Sequence, residues 1–334
     1  MIETKEFPDR AVAVSTKIQS EQTEPLLAPS GRKKTQFGKK NRSKLIFYIC
    51  GLALPLLQFA VFYIGVNINS VLLAFQKYDI REGYSFAGFE NFAKVFRDFA
   101  ELEYLGNSIL NSLILFAFTL LGMFAALLFS FYISKRHFGS KLFRTVLFLP
   151  NIISNIVLVL MFKYFAENFI PTILELITGN HHSGLLSSSS SDLTFWTVLF
   201  FTIWSGFGTQ VLLFGGAMNG ISQSVIEAAK LDGITPLKEF FYITLPMIMG
   251  TITTFVIVAV TAIFTNQMNL FSFFSKYADV QTYTLGYYFY RAVQTAGMTD
   301  FPPLAALSVL MTIICVPITI TVRFFLNKAE KRFA

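Results

Sequence analysis

The sequence predicts an all-α membrane protein with six transmembrane helices, and three observations carry that reading. Hydrophobic residues make up 54% of the 334-residue chain and charged residues 14%, where a soluble domain carries about 25% charged residues. The apolar residues gather into runs long enough to cross a bilayer, which takes about 20 residues per helix. Between the runs, Lys and Arg are alternately abundant and scarce.

The six runs lie near Leu45–Ala74, Ile109–Ile133, Leu142–Phe165, Leu193–Ala217, Ile243–Phe271 and Pro303–Leu326. Helices are expected because a helix pairs its backbone groups within the segment, and lipid offers them no partner. The segments 1–44, 134–144, 218–242 and 323–334 hold 10, 4, 2 and 4 Lys and Arg, against 4, 0 and 2 in 75–108, 166–192 and 272–302. Cytoplasmic segments collect basic residues, so both termini are expected in the cytoplasm. The net charge of +7 then reports membrane orientation and does not point to nucleic acid.

Three regions follow: a basic, disordered cytoplasmic tail over 1–44, a six-helix domain over 45–330 that includes the loop 218–246, and a short cytoplasmic end at 331–334. The first span starts too late and runs too long for a cleavable signal. The tail closes on the basic run Gly31–Lys44, which fits a lipid-headgroup anchor or a partner-binding arm. Gly38-Lys39 lacks the G-x-x-x-x-G-K-[ST] spacing of a phosphate loop, so no ATP site is read in this chain.

Proton-coupled carriers and intramembrane enzymes keep ionisable groups in the bilayer. Here Asp and Glu are absent from the interiors of all six runs, His137, His181 and His182 fall in loops, and Lys163 sits at a span edge where it can snorkel. Cys50 and Cys315 lie inside runs and form no disulfide framework. His181-His182 reads as a solvated loop or a metal-binding pair. No catalytic residue, metal ligand or cofactor is expected, and any driving energy comes from outside the chain.

The polar residues within the runs or at their ends are neutral: Asn107, Asn111, Asn151, Ser154, Asn155, Ser205, Thr209, Gln210, Thr261, Thr265, Asn266, Gln267 and Asn269. They serve either as bonds between helices or as the lining of a wet path for a neutral, hydroxyl-rich solute. Trp204 adds a flat apolar face of the kind that packs on sugar rings. The aromatic run Tyr277–Tyr290 reads as an interfacial belt or a docking surface.

The loop 218–246 is built as a capped hairpin. Ser224 and Glu227 fit a capping box, Ala228 and Ala229 are strong helix formers, and Gly233 is placed to end the helix in a left-handed turn. Thr235-Pro236 starts a second helix, with Pro at the first position.

Glu227-Ala228-Ala229, Gly233 and Ile243-Thr244-Leu245-Pro246 together resemble the EAA motif of the membrane subunits of binding-protein-dependent ABC importers. Gly88-Phe89-Glu90-Asn91-Phe92, Asn107-Ser108 with Asn111-Ser112, Phe143-Arg144-Thr145 and Tyr283-Thr284-Leu285 are similar to the carbohydrate-permease branch, of the maltose and glycerol-phosphate type. The resemblance covers roughly 45–330. It implies the type I ABC importer permease fold in a bacterial cytoplasmic membrane, with a coupling helix that docks on an ATPase subunit. By that resemblance Glu227, Ala228, Ala229, Asp232 and Gly233 couple to the ATPase, and Trp204, Ser205, Gly206, Thr209, Thr265, Asn266 and Asn269 line the solute path. The implied partners are a second, homologous permease subunit in a heterodimer, two ATPase subunits that bind ATP and Mg, an extracytoplasmic solute-binding protein, membrane lipid and an oligosaccharide. A polyol, an amino sugar or a glycerol-phosphate-type solute is the alternative cargo, and a secondary carrier the alternative machine. Ser275–Asp279 stands where the family often has Gly-Gly-Pro, and Ser222-Gln223-Ser224 where it has Pro.

Overall fold

The computed structural model describes residues 37–187 and 191–333 and divides into two compact units, Met1–Tyr63 and Ile64–Ala334. In the first unit helix α1 (Phe37–Gln58) is followed by a wide π-type turn, Phe59–Gly65. Its side chains from Lys44 to Tyr63 are exposed, as befits an apolar helix with lipid for a solvent. The helix reaches back to Phe37; the rest of the basic tail, 1–36, lies outside the described residues.

The second unit opens with α2 (Val66–Ala74) and a β-hairpin, β1 (Gln76–Asp79) and β2 (Gly83–Phe86). The strands are antiparallel, with Asp79 opposite Gly83. Gly83 turns the chain at φ +74°, a left-handed conformation open to glycine without steric cost. An all-α reading of the sequence leaves no place for these strands. Helix α3 (Glu90–Glu101) follows, and buried Asn91 fastens the hairpin to it by donating from Nδ2 to Ala74 O (2.9 Å) and Gln76 O (2.7 Å).

Then follow α4 (Glu103–Ser134), α5 (Ser140–Ile152), α6 (Asn155–Tyr164), α7 (Ile170–Thr178), α8 (Ser191–Asn219), α9 (Gln223–Leu231), α10 (Pro236–Glu239), α11 (Leu245–Met247), α12 (Met249–Thr261), α13 (Leu270–Phe274), α14 (Leu285–Thr295) and α15 (Phe301–Phe333). Among the described residues, five helical segments are long and apolar enough to cross a membrane: Lys44–Ala74, Glu103–Ser134, Asn155–Thr178, Ser191–Asn219 and Phe301–Lys331. The bent pair Pro236–Met247 and Met249–Thr261 makes a sixth if taken as one span.

Two expected spans are not continuous helices. The third, read at Leu142–Phe165, is interrupted at Ile153 and Ser154, where the backbone turns extended. Pro150 stands in the last turn of α5, and a proline there lacks the N–H for the helical ladder and crowds the carbonyl four residues back. The apolar segment that follows, Asn155–Thr178, is long enough to span alone. The fifth, read at Ile243–Phe271, bends by 72° between α11 and α12 and leaves helical geometry after Thr261. Hydropathy measures transfer to lipid and is blind to such breaks.

Helices α4 and α8 form the centre of the second unit. At one end Leu115, Val198, Phe201, Met268, Tyr283 and Tyr287 share a core; at the hairpin end Met123, Leu127, Val211, Phe214, Phe240 and Ile252 form another. A third joins α2 and α3 to α15 through Ala74, Phe92, Val95, Ala305 and Ala306. Helices α5 and α8 approach so closely that a Cβ at Gly208 would lie 1.9 Å from Leu147 O. Gly208→Ala is therefore expected to destabilise the protein by about 2 kcal/mol, the scale of an overpacked core. Gly216→Ala, where a Cβ meets nothing within 4 Å, serves as the control without a clash and is expected to be unchanged or up to about 1 kcal/mol more stable. Thermal unfolding of both variants in detergent measures the difference.

Candidate functional site

Two regions hold the residues singled out in the sequence, and each follows from local chemistry. The first is the hairpin. Helix α9 starts after Ser222, whose backbone is extended at φ −59° and ψ 130°. The expected capping box of Ser224 and Glu227 does not form. Ser222 and Ser224 instead hydrogen-bond each other through their hydroxyls (2.7 Å), and Glu227 Oε1 accepts from Gln223 Nε2 (3.3 Å). At the other end Gly233 has φ +72°, its N–H donates to Lys230 O (3.1 Å), and Ile234 N–H donates to Ala229 O (3.2 Å). That pair of bonds is the Schellman arrangement, which satisfies the last carbonyls of the helix. Thr235 is extended, and Pro236 opens α10 with Glu239 N–H donating to Thr235 O at 2.8 Å.

The hairpin presents one surface outward. Ala229 is buried, whereas Glu227, Ala228, Asp232 and Gly233 are exposed. Leu231 is 90% exposed and Leu237 71%. Small Ala228 beside two protruding leucines and two carboxylates makes a shape that another surface can approach closely. The base is tied down: Glu239 is buried and forms an ion pair with Lys135, and Phe240 is buried against Phe131 edge-to-face at 5.1 Å.

The second region is the break in the fifth span. Met268 and Asn269 both have positive φ, 52° and 55°, a rare pair for residues with a Cβ. Side chains from three elements hold the freed backbone. Asn266 Oδ1 accepts from Met268 N–H (2.9 Å), Thr202 Oγ1 donates to Met268 O (3.1 Å), and Thr284 Oγ1 donates to Asn266 O (2.8 Å). Asn269 is bonded on both sides, donating to Thr202 Oγ1 (3.2 Å) and accepting from Asn155 Nδ2 (3.2 Å). Gly286 lets α14 lie against this turn, since a Cβ there would come within 2.5 Å of the Thr265 carbonyl carbon.

Along α8 the residues Thr202, Gly206 and Thr209 recur at helical spacing and share one face. Thr209 donates to Asn151 Oδ1 (2.5 Å), Ser205 donates to Thr202 O (3.2 Å), and a Cβ at Gly206 would meet nothing within 4 Å. Thr202 and Thr209 lie about 10 Å apart along the helix, so the stripe Asn155–Asn269–Thr202 continues to Asn151–Thr209. Trp204 projects from roughly the opposite side of α8 and packs near Phe162 and Phe201, with centroids 6.3 and 6.1 Å away. The structure thus groups Ser205, Gly206, Thr209 and Asn269, leaves Thr265 exposed nearby, and engages the Asn266 oxygen in the turn itself. Sequence reading missed Thr202, which looks like any apolar-helix threonine until its partners at 268 and 269 are known.

The aromatic run is mostly core. Tyr283 and Tyr287 are buried, with rings 4.9 Å apart, and Tyr277 alone is largely exposed at 79%. Burial pushes the phenols of Tyr283 and Tyr287 up from their usual value and that of Tyr288 to about 12, and the Tyr287 hydroxyl donates to Ser275 O at 2.7 Å. Of the loop histidines, His181 Nδ1 lies 3.5 Å from Glu175 Oε2, and His182 pairs with Thr178.

A family model described as binding-protein-dependent transport system inner membrane component matches residues 118–333. The probable ABC transporter permease protein YurN of Bacillus subtilis (strain 168) is 28% identical over 230 residues, 67% of this chain and 77% of its own length. The sn-glycerol-3-phosphate transport system permease protein UgpA of Salmonella typhimurium is 26% identical over 250 residues, 74% of this chain and 82% of its own. A chain from the crystal structure of the bacterial alginate ABC transporter, in complex with alginate pentasaccharide-bound periplasmic protein, shares the fold. It has a TM-score of 0.67 at 19% identity and covers 89% of this chain and 98% of its own.

Asn269 supplies the test of the break. Asn269→Gly keeps the left-handed backbone and removes two hydrogen bonds, each worth about 1 kcal/mol. Asn269→Val removes the bonds and adds roughly 1–2 kcal/mol of backbone strain. Unfolding midpoints are expected to fall in the order native, Gly, Val.

Proposed function

The chain belongs to the family of binding-protein-dependent transport system inner membrane components, and we propose that it is one of two membrane subunits of an ATP-driven importer for a sugar, an oligosaccharide in particular. The observation that carries this reading is the hairpin. It has a helix closed at its C-terminal end by Gly233 and Ile234, a face exposing Glu227, Ala228, Leu231 and Asp232, and a base locked by Glu239 and Phe240. Caps of this kind also close ordinary loops; the exposed face on a tied-down base is what supports a handle gripped by a separate motor.

In this reading two ATPase subunits bind ATP and Mg and engage the hairpin of this chain and that of a homologous partner permease. An extracytoplasmic binding protein delivers the solute. The distribution of Lys and Arg supports a cytoplasmic side for both termini and the hairpin. Nucleotide shifts the spans between inward- and outward-open arrangements only as far as the ATPases contact the hairpin differently in the two. This chain contributes no catalytic group; it gates and guides.

The cargo reading rests on the stripe of Asn151, Asn155, Thr202, Ser205, Thr209 and Asn269. Amides and hydroxyls exchange hydrogen bonds with sugar hydroxyls at little cost, whereas a phosphate or uronate taken out of water requires a paired charge. An uncharged glycan is therefore the expected cargo in preference to a glycerol-phosphate-type solute.

Gly233→Pro is expected to leave membrane insertion intact and to abolish co-purification with the ATPase subunits, because proline fixes φ near −65° where the turn has +72°. Normal solute-stimulated ATP hydrolysis by that variant would contradict the coupling role. The cargo is read by mass spectrometry of the solute that co-purifies with the complex and its binding protein. A neutral glycan is the expected mass; glycerol 3-phosphate would overturn the cargo assignment.

A further inference from the structure

We propose that Lys135 and Glu239 are positioning residues for energy coupling: their ion pair makes α4 the element that follows the hairpin and carries its displacement to the segment 281–285. The inference rests on the reading of the chain as an ATP-driven permease subunit.

The hairpin is joined covalently to α8 on one side and to α12 on the other, and α12 meets it across the 72° bend. A third connection is made by side chains. Lys135 caps the C-terminus of α4, its N–H donating to Phe131 O at 3.2 Å, a position where a cation also favours the helix dipole. Its ammonium pairs with Glu239 and lies 5.1 Å from the Phe131 ring centre. The side chains of Lys135 and Glu239 are only 20% and 6% exposed. Among the described residues it is the single ion pair between a Lys or Arg and a carboxylate. A carboxylate so withdrawn from water is stable only while its partner stays, so the two ends move together or not at all. Phe240, 1% exposed, closes the joint against Phe131.

At its other end α4 holds a different part of the protein. Asn111 Nδ2 donates to Gln281 O (2.8 Å) and Tyr283 O (2.9 Å), and Ser112 Oγ accepts from Leu285 N–H (2.9 Å). Between Asn111 and Lys135 α4 is a helix without proline, about 36 Å long. Prolines and inserted side chains are what kink helices; α4 has the form of a strut. A shift of the hairpin acts through Glu239 on Lys135, along α4, and on the backbone at 281–285, which lies next to the Asn266–Asn269 turn through Thr284.

The experiment uses the assembled complex with its ATPase subunits, with Cys50 and Cys315 replaced by serine and Gln281→Cys as a reporter. Maleimide labelling of the reporter is timed without nucleotide and with ATP and vanadate. The parent complex is expected to change its labelling rate by about fivefold or more between the two states. Glu239→Gln and Lys135→Gln are expected to hydrolyse ATP while the labelling rate no longer responds. The exchange variant, Lys135→Glu with Glu239→Lys, is expected to restore the response. A full response in either single variant, or an assembled exchange variant without response, overturns the proposal. Where a single variant fails to assemble, the exchange variant decides alone. A parent complex that neither binds an ATPase nor consumes ATP sinks the permease reading itself, an outcome distinct from an unresponsive variant in a working complex.

Discussion

In a bilayer the backbone must find its hydrogen-bond partners inside the protein, and each group left unpaired costs several kcal/mol. That constraint shapes the chain from end to end. It makes the long apolar runs helical, and it decides where the chain is free to depart from a helix. The turn between Thr261 and Leu270 exists because Asn266, Thr202 and Thr284 stand where its loose N–H and C=O groups point. Polar residues in a span are usually read either as glue between helices or as a solute path. Here Asn266 and Thr202 repair the backbone, and Asn269, bonded to Thr202 and to Asn155, joins that repair to a polar stripe along α8.

The same logic explains the elaborate hairpin. Helix ends expose four unpaired groups each, and at the membrane surface water could satisfy them. The chain closes the C-terminus of α9 internally instead, through Gly233 and Ile234, and buries Glu239 against Lys135. Both features reduce the freedom of the loop. Rigidity is of little use to a passive connection and of great use to one that transmits displacement. The constraint therefore joins the two candidate regions: the hairpin end is stiff, the opposite end is a repaired break, and α4 lies between them with bonds at each end.

Much of this was legible in the residues. The first, second, fourth and sixth spans follow from hydropathy alone, and Gly233 with Thr235-Pro236 announces its turn because few residues tolerate that geometry. Apolar content is the same on either side of a break, so hydropathy alone reads the third and fifth spans as continuous. The start of α9 was misplaced because Ser222 and Ser224 are equally good caps, and only their mutual hydrogen bond removes both from that task. The β-hairpin was missed because its four-residue strands carry little pattern. Thr202 and the pairing of Lys135 with Glu239 depend on partners 66 to 104 residues away in the chain, and no local pattern announces such a partner.

The central claim is that a motor on the cytoplasmic side works this protein through the hairpin. The most direct measurement places a single thiol at Ala228, an exposed residue on the outward face of α9, in a chain otherwise free of cysteine, and asks what it touches in membranes. The account predicts a cross-link from Ala228→Cys to an ATPase subunit, with a yield that depends on bound nucleotide, and protection from a membrane-impermeant maleimide added to intact cells. Ready labelling from outside the cell, with no cross-link to any nucleotide-hydrolysing subunit, would contradict it.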